Sequence, residues 1–84
     1  MTGVTGEPRV TLYTRADCHL CDDAETVIAA VASELGESWR SVDVDADPED
    51  RAEYGDLVPV VLVDGVVLAY YRVEPDRLRQ ALLA

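Results

Sequence analysis

Apolar and polar positions change period several times along this chain, and each change marks an element. Arg9-Val10-Thr11-Leu12-Tyr13-Thr14 alternates polar and apolar, with β-branched and aromatic members, as a strand does. After the short turn Arg15-Ala16-Asp17 the period lengthens. Ala24, Val27, Ile28, Val31, Ala32 and Leu35 recur at helical spacing, and Gly36 stands where a helix closes on a left-handed residue. Asp22, Asp23 and Glu25 fall in the opening turns of that helix, where its dipole favours negative charge. Residues 38–44 alternate again and read as a second strand. Asp47-Pro48 predicts an N-cap followed by proline at the first helical position, opening one or two turns that end near Tyr54-Gly55.

Val58-Pro59-Val60-Val61-Leu62-Val63 is apolar throughout, the composition of a strand buried on both faces. Asp64-Gly65 is a hairpin signal, and residues 66–71 supply the return strand. Pro75 can open a last helix with Leu78, Ala81 and Leu82 on one face. The order β-α-β, short helix, β-β-α predicts an α/β fold. Its first half is a right-handed parallel crossover and its second an antiparallel hairpin closed by a helix. Helices are then expected on both faces of a mixed four-stranded sheet. Residues 1–7 are small or polar and are expected to form a disordered tail, leaving 8–84 as a single domain, since 84 residues support only one core.

Composition narrows the function classes. The chain is 49% apolar and 29% charged, as soluble domains are, with a formal net charge of −10 from 17 acidic and 7 basic residues. Every basic residue is arginine. Such a surface repels phosphate backbones and anionic lipid, which argues against nucleic-acid and membrane partners. The first eight residues lack a positive start followed by an apolar stretch, and no apolar run approaches the roughly 20 residues of a membrane span. A cytoplasmic protein is therefore expected, and in a reducing compartment a purely structural disulfide is disfavoured; a monomer is the expected state.

That bears on the only two cysteines, Cys18-His19-Leu20-Cys21, placed where a strand hands over to a helix. Side chains three apart on a helical turn share a face and can close a disulfide. Cys18 falls at or before the first turn, where free backbone N–H groups stabilise a thiolate, and Cys21 falls inside it. The first position suits attack on a substrate disulfide and the second suits resolution of the mixed disulfide. Other readings compete. A zinc site needs about four ligands, and two Cys and one His fall short of that, so no metal site is expected. Haem attachment requires histidine directly after the second cysteine, where Asp22 stands. Two inert buried thiols are the remaining alternative. His19 could stabilise the Cys18 thiolate or move a proton, or it could simply be exposed. Asp17, Asp22 and Asp23 oppose the helix dipole and should keep the Cys18 thiol from becoming strongly acidic. Val58-Pro59 opens the apolar strand, and local sequence favours the ordinary trans bond there.

The strand ending in Thr14-Arg15-Ala16-Asp17-Cys18-His19-Leu20-Cys21, its amphipathic helix, and Val58-Pro59 before the Asp64-Gly65 hairpin together resemble the glutaredoxins of the thioredoxin-like superfamily. More narrowly, they resemble the bacterial glutaredoxin-like domains. The likeness spans roughly residues 8–83. It implies a sheet of order 2-1-3-4, Cys18 as nucleophile, Cys21 as resolving thiol, and a cis Pro59 facing the cysteines. It also implies that Val58 offers backbone hydrogen bonds to substrate, and that Arg15 stands where glutaredoxins carry a lysine for a glutathione carboxylate. Tyr70-Tyr71-Arg72-Val73-Glu74 replaces the glycine pair that lets glutathione approach in glutaredoxins. Glutathione is therefore not the expected thiol, although another low-molecular-weight thiol could serve, and no tightly bound cofactor is expected. The expected activity is that of a thiol–disulfide oxidoreductase, acting on protein or small mixed disulfides and regenerated by a separate reductase. The alternatives are a metal or iron–sulfur carrier on the same fold and a redox-inactive interaction domain.

Overall fold

The computed structural model describes residues 8–84, so the tail expected over 1–7 lies outside the described residues. Alternation in β1 (Val10–Thr14) divides the molecule into two sides. Val10 and Leu12 are fully buried beneath α1 (His19–Leu35) and α3 (Pro75–Leu83), where they meet Ile28, Val31, Val61, Leu78 and Leu82 in one core. Thr11 and Tyr13 face the other way. There Tyr54, at the end of α2 (Pro48–Tyr54), lies over Tyr13 with ring centroids 4.6 Å apart. Helices thus flank both faces of the sheet, heavily on one and lightly on the other.

The sheet order is β2-β1-β3-β4, with β2 at Trp39–Asp43, β3 at Val60–Val63 and β4 at Val66–Tyr70. β1 and β2 run parallel, Val10 beside Trp39, because a whole helix joins them. β1–β3 and β3–β4 are antiparallel. The β3–β4 turn is Asp64-Gly65, both at positive φ (53° and 84°), the backbone that a two-residue hairpin matching strand twist requires. β3 is apolar throughout because it lies between two strands and under two layers, with Val60 and Val61 fully buried.

α1 buries Cys21, Ala24, Ile28, Val31 and Ala32 along one stripe. It ends at Gly36 (φ 71°), after which the Glu37 N–H reaches back to the Ala32 carbonyl at 2.9 Å and closes the last turn. No helix among the described residues is long and apolar enough to cross a membrane.

Two strands end earlier than the sequence pattern carries them. The second strand stops at Asp43 rather than Val44, because the Asp43 carboxylate accepts the Asp45 N–H at 2.9 Å and turns the chain into a short 3₁₀ segment, Val44–Ala46. Asp47 repeats the device, accepting the Glu49 N–H at 2.8 Å to cap α2, with Pro48 following. The fourth strand stops at Tyr70 rather than Tyr71, which takes a left-handed φ of 66°.

Arginines clamp the layers. Arg9 reaches both carboxylate oxygens of Asp64, Glu37 and the Leu82 carbonyl, joining the hairpin turn to the ends of α1 and α3. Arg79 of α3 holds Glu34 of α1 through two hydrogen bonds. Bonds from Arg79 keep the Glu34 carboxyl below its ordinary range, and Arg9 does the same for Asp64.

Candidate active site

The cysteine pair sits where β1 ends and α1 begins. Asp17 takes a left-handed φ of 61°, a conformation that aspartate tolerates, and so turns the chain after Arg15-Ala16. Cys18 then becomes the N-cap of α1, with extended backbone (φ −111°, ψ 106°). Its carbonyl accepts the Asp22 N–H at 3.3 Å, and its Sγ accepts the Cys21 N–H at 3.1 Å. A sulfur at this position receives one of the helix's unpaired amides, the place where serine or aspartate caps most helices. Negative charge on that sulfur is stabilised by the amide and by the dipole of a 17-residue helix.

The two sulfurs are joined in a disulfide, with Cα atoms 5.2 Å apart. The partners are not equivalent. Cys21 is buried at 4% exposure, whereas Cys18 is half-buried. Of the two, Cys18 is the more accessible to solvent. His19 is exposed beside it, and Asp17, Asp22 and Asp23 are exposed around the turn.

The antiparallel register sets Val60 against Tyr13, so Val58-Pro59 lies opposite the end of β1, at the same end of the sheet as Cys18. The Val58–Pro59 bond is cis, as the family resemblance implies and against the local preference for trans. Pro59 is fully buried, and its carbonyl accepts the Tyr71 N–H at 2.8 Å.

Arg15 is held by contacts that the sequence did not reveal. Its Nε and Nη2 engage both oxygens of Asp45, at 3.0 and 3.1 Å, and its Nη1 donates to the Gly55 carbonyl at 3.1 Å. The Asp45 carboxylate holds this guanidinium protonated more firmly than usual, through its hydrogen bonds and then its charge. Arg15 thus ties the loop before Cys18 to the 3₁₀ segment and to the end of α2. Three of its five N–H groups are used in this way.

A groove of about 250 Å³ opens near the start of α1, lined by Leu20 but by neither cysteine. Leu20, Ala24 and Val27 of α1 form one wall, and the segment from Tyr71 to Glu74 forms the other. Leu20 and Tyr71 escape a reading based on periodicity, because each lies at the edge of its element's pattern. A usable signal was present: Leu20 stands four residues before Ala24 and seven before Val27, extending the helical spacing by one turn to the helix start, where it is 44% exposed.

A family profile described as the glutaredoxin-like domain (DUF836) matches residues 9–83, from the first strand to the last helix. The chain belongs to the glutaredoxin-like domain family. Relatives of this glutaredoxin-like domain include the uncharacterized protein Rv0508 of Mycobacterium tuberculosis, 43% identical over 77 residues, covering 86% of this chain and 79% of that one. The crystal structure of protein XcR50 from X. campestris superposes with a TM-score of 0.71 at 34% identity, covering 87% of this chain and 93% of that one. A glutaredoxin from Archaeoglobus fulgidus shares the fold at 15% identity, with a TM-score of 0.62 over 94% of this chain and 90% of its own. The thioredoxin-like fold and the close cysteine pair together support a redox role for the domain.

Proposed function

We propose that this glutaredoxin-like domain is a thiol–disulfide oxidoreductase that reduces protein or small mixed disulfides through Cys18 and Cys21. The observation that carries the reading is the asymmetry of the pair. Cys18 caps the helix and accepts a backbone amide, while Cys21 is buried one turn later. In the reduced domain, the Cys18 thiolate attacks one sulfur of a substrate disulfide. An S–S bond forms to Cys18 as the substrate bond breaks, and one substrate thiolate leaves and takes up a proton. Cys21, losing its proton, then attacks Cys18 Sγ. The second substrate thiol is released and the Cys18–Cys21 disulfide remains, two electrons having passed to the substrate. A separate dithiol reductase or a low-molecular-weight thiol returns those electrons.

The surrounding residues have roles consistent with that sequence of steps. His19, exposed next to Cys18, can supply the proton to the leaving thiolate. Val58, ahead of buried Pro59 at the same end of the sheet, would pair its backbone with an extended substrate segment. Arg15 keeps two N–H groups for a substrate carboxylate while it holds the loop. The domain is read as a cytoplasmic monomer that rests reduced. The test uses two variants on a model protein disulfide. Cys18→Ser should abolish reduction, and Cys21→Ser should stall at a mixed disulfide visible by mass. Stalling in Cys18→Ser instead would reverse the assignment, and turnover in both would remove the dithiol mechanism.

A further inference from the structure

Tyr71 is the one aromatic residue at positive φ among the described residues; the other non-glycine positions are Asp17 and Asp64, a residue type that tolerates it. The Arg72 N–H donates to the Tyr70 carbonyl at 2.6 Å, so Tyr71 is the centre of a three-residue turn. With φ at 66° this is the rare, strained kind of γ-turn. The Tyr71 N–H is fixed to the Pro59 carbonyl, which anchors the turn at the end of the sheet that carries Cys18. Burial does not repay the strain, since Tyr71 remains 48% exposed. Strained residues that the rest of the fold holds in place gather at functional sites.

The ring's position suggests what the strain is kept for. Tyr71 and Leu20 face one groove from opposite walls, Leu20 being the residue just before Cys21. Val27 extends the apolar lining. Charge at the rim comes from Asp23 and Glu74 against the single cation Arg72, on a chain of net charge −10.

Building on the oxidoreductase reading, we infer that Tyr71 is a specificity-determining residue. Its strained turn presents the ring as one wall of a slot, facing Leu20, that takes an apolar side chain from an extended protein segment bearing lysine or arginine next to its disulfide. An apolar anchor is matched by the lining, and the neighbouring cation by the acidic rim. An anionic tripeptide thiol meets neither condition.

The test measures kcat/KM for reduction of two disulfide peptides of equal length, one with Leu-Lys beside the cysteine and one with Ser-Glu. The wild type should favour the first by about tenfold, the order expected for one apolar side chain in a partly enclosed site. In Tyr71→Gly that ratio should fall severalfold, mainly through KM, while staying above unity because Asp23 and Glu74 remain, whereas Tyr71→Phe should keep it. Leu20→Ala, at an exposed position, should lower the ratio in the same direction. The melting temperature of Tyr71→Gly should be no lower than the wild type's. Glycine takes positive φ freely, which offsets its greater freedom in the unfolded chain.

Equal rates for the two peptides in the wild type would overturn the inference, as would faster reduction of a glutathione mixed disulfide than of either. An unchanged ratio in both Tyr71→Gly and Leu20→Ala would do the same. So would a melting temperature several degrees lower in Tyr71→Gly, because the ring would then be serving the fold. A wild type inactive on every disulfide would instead sink the oxidoreductase reading itself.

Discussion

Reducing Cys18–Cys21 should leave the domain folded, and the cost can be worked out from the structure. The disulfide closes a loop of four residues, its ends being three apart in sequence. Chain-entropy reasoning gives a stabilisation of about 2 kcal/mol for so short a loop at 25 °C, against about 3 for a 15-residue loop. That figure is an upper bound, since the reduced Cys18 sulfur can still accept the Cys21 amide at the helix cap. The ten-residue core under α1 and α3 contains neither cysteine. At about 0.05–0.15 kcal/mol per residue, a domain of this size has roughly 4–13 kcal/mol of stability. Reduction should therefore lower the melting temperature by no more than about 8–16 °C. Urea unfolding followed by circular dichroism, with and without excess reductant, measures the difference. A reduced chain that is unfolded at 25 °C, or a loss above about 4 kcal/mol, would make the disulfide a structural staple and refute the reasoning.

Three other outcomes follow from named contacts. Limiting alkylating reagent on the reduced protein should label half-buried Cys18 before Cys21, and peptide mass mapping reads the order; preferential labelling of Cys21 would contradict the site's asymmetry. Ile28→Ala, at a fully buried core position of α1, should cost about 2–4 kcal/mol in denaturant unfolding, by similar amounts in both redox states; a loss under about 1 kcal/mol would mean that α1 does not rest on that core. Glu34 is held below its ordinary pKa by Arg79, so its pairing stabilises the fold above the unfolded-state pKa and is lost as pH falls through the folded one. The stability gap between wild type and Arg79→Gln should thus close between about pH 6 and pH 3, and a gap that widens over that range would reverse the sign.

Much of this architecture was legible because local and tertiary demands agree. The helical spacing from Ala24 to Leu35 is the buried stripe of α1, with Cys21 at its head, and Gly36 closes the helix as its position suggests. The unbroken apolar run from Val60 is the inner strand, and Asp64-Gly65 makes the hairpin. What stayed hidden depends on contacts distant in sequence. Arg15 looks like a free cation until the fold brings Asp45 and Gly55 to it, 30 and 40 residues away. Tyr71 continues the pattern of β4 by composition, and only its hydrogen bond to Pro59 and the tight turn at Arg72 show that the strand has ended. The strand that stops at Asp43 is an intermediate case: Asp43 and Asp47 are both turn-forming residues, but alternation alone carried the expected strand one residue too far.

The most direct test of the central claim, that Cys18 and Cys21 form a working redox couple, is equilibration of the domain with thiol–disulfide buffers of known potential. The fraction oxidised is read by thiol labelling. Three exposed aspartates around the pair oppose the stabilisation that the helix start gives a Cys18 thiolate. A single reversible two-electron transition is therefore expected nearer thioredoxin's potential, about −270 mV, than the −120 mV or so of a strong oxidant. No reversible transition at all would contradict a redox role, and a potential above roughly −180 mV would contradict a domain that works as a reductant.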